Sequence, residues 1–130
     1  MIIPENIKAI GSTGGNSSQS ITINSVAANG RPFGTPFVLS QTSPAFVTYS
    51  IDQSIPSDVG GQATITATVD GVFVSGTRNT EVANSGEVVA INRREVISFF
   101  VPPGSSVSLG RSLSTGVTAA LAGGQEVIFK

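Results

Sequence analysis

The chain has 130 residues, seven Lys and Arg against eight Asp and Glu, a net charge of −1, and neither Cys nor His. That length predicts one domain able to bury its own core, and the missing residue types exclude disulfides, thiolate metal sites and imidazole acid–base chemistry. Charged residues make up only 12%, roughly half the usual share, so small polar residues must cover much of the surface, which suits a subunit packed in an assembly.

Residues 1–10 (MIIPENIKAI) form a short apolar segment in which Pro4 opposes a continuous helix. They lack the basic start and sustained apolar run of a signal peptide, so a soluble chain is expected. Residues 11–20 (GSTGGNSSQS) have the composition of a flexible tether. Residues 1–20 therefore read as an N-terminal arm, with Ile2, Ile3, Ile7 and Ile10 as its partner-binding anchor, and residues 21–130 as the body.

Ile21-Thr22-Ile23 opens the strand-rich body, and residues 29–32 (NGRP) make a turn. Residues 36–39 and 45–51 predict further strands, the second with Ala45, Val47, Tyr49 and Ile51 on one face and Pro44 tolerated at its start. Residues 54–61 predict a loop. Residues 62–80 then alternate as a hairpin: Ala63, Ile65, Ala67 and Val69 on one side, Gln62, Thr64, Thr66 and Thr68 on the other, with Asp70-Gly71 as the two-residue turn. Val72-Phe73-Val74 is apolar at three consecutive positions, which predicts a return strand covered on both faces.

Residues 79–86 predict a polar connection, and residues 87–101 a second hairpin with Asn92-Arg93 near its tip. Within residues 96–101 (VISFFV), Val96 and Phe100 share one face and Ile97, Phe99 and Val101 the other. Such a strand belongs in the middle of a sandwich or at a subunit interface. Residues 102–104 (PPG) stop it, and Val107 and Leu109 mark a short strand. Residues 117–121 are bracketed by Gly116 and Gly123-Gly124 and predict a strand or irregular chain, and residues 125–129 a terminal strand. Eight to ten short strands without a long helix predict an all-β antiparallel β-sandwich, with a jelly roll the natural solution; an immunoglobulin-like sandwich would lack its Cys and Trp core marks.

No residue cluster announces a reaction. Asp52 with Asp58, and Glu81 with Glu87, are carboxylate pairs in Ser/Gly-rich surroundings, where solvated carboxylates are ordinary. A loop calcium site would need only carboxylates and carbonyls, yet no D-x-D-x-D-G ladder is present. Lys8 and Lys130 are the only amine bases, and the Gly14-Gly15, Gly60-Gly61 and Gly123-Gly124 pairs lack the Gly-Lys-Ser/Thr of a phosphate loop. Arg93-Arg94 reads as a solvated hairpin tip, and Tyr49 with the seven Phe as core rather than a sugar-stacking platform. The expectation is a non-enzyme without cofactor or metal. With no basic stripe and no apolar run of about 20 residues, neither nucleic acid nor membrane is expected as a partner.

Three features carry a family resemblance: the alternating strand ending in V-D-G-V-F-V at residues 69–74, the element VISFFVPPG at residues 96–104, and the short strand SVSLG directly after it. On these, residues 63–109 resemble small jelly-roll modules of tailed-bacteriophage virions, related in shape to the trimeric tumour-necrosis-factor and complement-type heads. The resemblance implies a structural virion component, commonly a homotrimer, with Val96, Phe99 and Phe100 expected at the trimer interface. A small domain with an arm favours a capsid decoration (cement) protein that binds the major capsid protein. The alternative is a tail-fibre or baseplate module that binds a host-surface glycan.

Overall fold

The computed structural model describes residues 20–84 and 90–130. Among these the chain is all-β, with eight strands: β1 (Ile21–Val26), β2 (Phe37–Val38), β3 (Ala45–Pro56), β4 (Gly61–Val69), β5 (Val72–Glu81), β6 (Ala90–Val101), β7 (Ser106–Leu113) and β8 (Thr118–Phe129). They form two four-stranded antiparallel sheets, ordered β1-β8-β3-β6 and β2-β7-β4-β5. Pairing is nested: β1 with β8, β2 with β7, β3 with β6, and β4 with β5, as if a long hairpin were folded over. Two further pairings, β3 with β8 and β4 with β7, complete the sheets. The alternating positions meet between them in a main core that includes Val47, Tyr49, Ile51, Ile65, Phe99 and Leu109, with a smaller cluster of Ile55, Ala63 and Val117 beside it. The body is an antiparallel β-sandwich.

The hairpin of β4 and β5 forms at the expected dipeptide. Asp70 and Gly71 have φ of 50° and 81°, and such positive values give the turn a twist that matches its strands. The Asp70 carboxylate also accepts the Ser106 N–H at 2.8 Å, tying the turn to β7. That hydrogen bond, with help from Ser105, holds the Asp70 carboxyl below its usual range.

Several sequence expectations are corrected. No turn occurs at Asn92-Arg93, because β6 runs unbroken from Ala90 to Val101 and pairs with twelve consecutive residues of β3. The continuous ladder outweighs the weak turn preference of Asn-Arg. For the same reason β3 extends to Pro56 and β5 to Glu81, into segments expected as loop and connection. Residues 117–121, expected as strand or irregular chain, are strand from Thr118 on, as expected, and the one change is that β8 continues through Gly123-Gly124 with a register shift opposite Ser50 and Ile51. Gly124 is required there, since a Cβ would lie 2.4 Å from the Thr48 carbonyl oxygen and 2.7 Å from the Tyr49 ring. Val72, Phe73 and Val74 are exposed rather than covered, because β5 is an edge strand and its first residues form the hairpin end. The arm, residues 1–20, lies outside the described residues but for Ser20, whose backbone exchanges hydrogen bonds with Lys130 beside β1.

Connectivity gives the sandwich two unlike ends. At one end β6 passes to β7 through residues 102–105 beside the β4–β5 turn, and the start of β1 meets the end of β8. At the other, β3 passes to β4 through residues 57–60.

Candidate docking surface

The outward face of the β1-β8-β3-β6 sheet is built by parity. On β6, Ile97, Phe99 and Val101 point into the core, so Val96, Ser98 and Phe100 point out. On β3, the core set Ala45, Val47 and Tyr49 leaves Phe46 and Thr48 outside. Strand register then aligns Ile23 with Val127, Val127 with Phe46, and Phe46 with Phe100, giving one apolar row across four strands. Ile21 opposite Phe129 adds a second row toward the same end. Exposures are 59% for Ile23, 42% for Phe46, 54% for Phe100 and 60% for Ile21.

The rest of this face grades into polarity. The next row holds Gln125, Thr48 and Ser98, with Thr48 and Ser98 hydroxyls 3.2 Å apart. Farther along, Asp52 receives both Arg94 donors, Nε at 2.6 Å and Nη2 at 2.9 Å. That pairing holds the Asp52 carboxyl below its usual range and raises the Arg94 guanidinium. The opposite outer face, on the β2-β7-β4-β5 sheet, is different: Thr64, Thr66 and Thr68 stand beside Ser112, Gly110 and Ser108.

Phe100 and Val96 therefore lie on the outward face, Val96 toward its polar part beside Ser50. Phe99 does not. It is 5% exposed, on the opposite side of β6, with its ring 6.1 Å from that of Tyr49, so it serves the core and is not available to a sister copy. Ile2, Ile3, Ile7 and Ile10 lie outside the described residues. The sequence reading missed Ile21, Ile23, Phe46 and Phe129; the clue was Phe46, which stands at the parity opposite to Val47 and Tyr49.

Of the carboxylates considered for chemistry, two are held by arginines, Asp58 is an exposed turn residue, and one lies outside the described residues. Asp52 is held by Arg94, Glu81 by Arg93, and Glu87 is not described. Arg93 and Arg94 are thus exposed strand residues with ion partners, solvated as expected but not at a hairpin tip. Among the described residues no group of three or more His, Cys, Asp or Glu could hold a metal ion.

One buried charge escaped the sequence reading. Glu126 is 1% exposed; its carboxylate accepts Arg31 Nε and Nη2, each at 2.8 Å, and the Tyr49 hydroxyl at 2.6 Å. The Arg31 guanidinium also covers the Phe37 ring at 4.3 Å. Burial, then the bond to Glu126, pushes the Tyr49 phenol well above its usual range. Both carboxylate oxygens are taken, so this group ties the connection after β1 to the core rather than offering a reactive acid. A second interior polar network joins the edges: Asn79 Nδ2 on β5 donates to Gln53 Oε1 at 2.7 Å and Glu95 Oε2 at 2.9 Å.

Set beside known proteins, the sequence matches no family model and no curated relative.

Proposed function

We propose that this chain is a structural virion protein, a homotrimer that binds the outside of a tailed-phage capsid and stabilises it. The carrying observation is the apolar row Ile23–Val127–Phe46–Phe100, in register across the outside of a sheet. A row of this kind is a surface to be covered, and the low charge of the chain leaves little to repel a neighbour. The nested strand pairing supports the jelly-roll form of the sandwich, the form the resemblance to virion modules implies. The paired or buried state of Asp52, Glu81 and Glu126 favours holding over reacting.

The test is placement in native particles. Antibody-labelled electron microscopy of intact phage should put the chain on the outer capsid. Deleting residues 1–20 should abolish capsid binding while leaving the body folded. Label at the tail tip, with hits on a glycan array, would support the fibre or baseplate reading instead, and absence from purified particles would overturn a virion role.

A further inference from the structure

Among the described residues, two groups of exposed apolar side chains lie at the end where β6 turns into β7. One is the flat outer face described above, centred on Ile23, Phe46 and Phe100. The other is the end of the β4–β5 hairpin, where Val72, Phe73 and Val74 are 65%, 63% and 40% exposed. We infer that the second seats on the first in a neighbouring copy: the hairpin end of one subunit packs against the outer face of the β1-β8-β3-β6 sheet of the next. This rests on the self-association part of the proposed function and names its contact.

Symmetry favours two unlike surfaces. A closed ring of three is heterologous, so each contact joins one patch to a different patch, whereas a face meeting its own copy makes a two-fold dimer. Position favours these two. Phe100 is the last residue but one of β6, which passes through residues 102–105 to β7, and the start of β7 is hydrogen-bonded to Asp70 at the hairpin turn. The two patches therefore lie at the same end of the strands, one on a sheet face and one on the edge of the other sheet. A rotation about an axis along the strands brings one to the other without a rise, and a contact without a rise closes instead of growing a filament.

Area is also sufficient. At half exposure each large side chain leaves roughly 100 Å² open, so the face and the hairpin end together hide about 800 Å² of apolar surface. With the usual polar rim this becomes about 1,300 Å², within the range of specific contacts. Phe73 pairs with Thr68 on the outer side of the hairpin, its ring beside Gly76, and Val72 pairs with Val69 on the other side, so the hairpin end is apolar on both sides.

The chain has no cysteine, so introduced ones report cleanly. Val72→Cys and Ile23→Cys, co-expressed as separate chains and treated with a short bismaleimide, should join to each other. The chain with both changes should give a covalent trimer as its end product. Self-joining of Ile23→Cys alone would show face-to-face pairing and overturn the inference, as would a trimer by sedimentation in which the two positions fail to join. A monomer would overturn the self-association reading as well. Phe73→Ser should weaken association tenfold or more with far-ultraviolet circular dichroism unchanged; unchanged association would also count against the inference.

Discussion

Glu126 is the most consequential single residue in the core, because a carboxylate there persists only with partners. Removing Arg31 as Arg31→Ala strands that charge and should cost about 3 kcal/mol of stability, read by urea denaturation. Tyr49→Phe removes one hydrogen bond to a charged group and should cost about 1.5 kcal/mol. The phenol gives a pH signature with a definite sign. Its folded value lies above the ordinary 10.0, so as pH passes that point the unfolded chain loses the proton and the folded chain keeps it. Stability from this group is complete below pH 10 and falls above it. Tyr49 is the only Tyr and Trp is absent, so the phenolate absorbance reports it alone: it should stay silent until unfolding, and Tyr49→Phe should flatten the alkaline loss. Part of this was legible in the sequence. Within residues 125–129 Glu126 shares parity with Ile128, a charge at a core position. Its partner was not legible, because Arg31 stands 95 residues away and only the pairing of β1 with β8 brings it near.

At the scale of elements, β6 separates two roles within adjacent residues. Phe99→Ala opens a core cavity and should cost about 3–5 kcal/mol. Phe100→Ser changes an outward residue and should leave the stability of the dissociated subunit within about 0.5 kcal/mol while weakening association. Equal losses in both, measured by denaturation at low protein concentration, would contradict the assigned faces. Gly124→Ala should destabilise by about 1–3 kcal/mol, since its Cβ meets backbone and ring that cannot both yield. The β4–β5 hairpin was fully legible, since Asp-Gly and strict alternation are local signals. The extent of β6 was not: its continuity through Asn92-Arg93 depends on the length of β3, which local turn preference does not contain. Nor did three apolar residues in a row mean burial at Val72–Val74, because edge position is set by the order of strands and not by their composition.

The whole molecule is polarised. Apolar residues rim the end where β6 turns into β7, on the face of one sheet and the hairpin end of the other. Among the described residues the far end exposes Asp58 and Asn84, with Val59 and Val82 as its exposed apolar members. Composition foretold a body of two greasy-faced sheets and a weakly charged surface; it did not foretell that one outer face would carry an apolar row and the other mostly threonine and serine. That distinction depends on which strands become neighbours, and it turns a general tendency to pack into a specific surface. The most direct measurement is sedimentation equilibrium of the intact chain at micromolar concentration. The account predicts a species of three times the 13.2 kDa chain mass, reduced to the single chain by Phe100→Ser together with Ile23→Ser. A stable single chain before any substitution would contradict it.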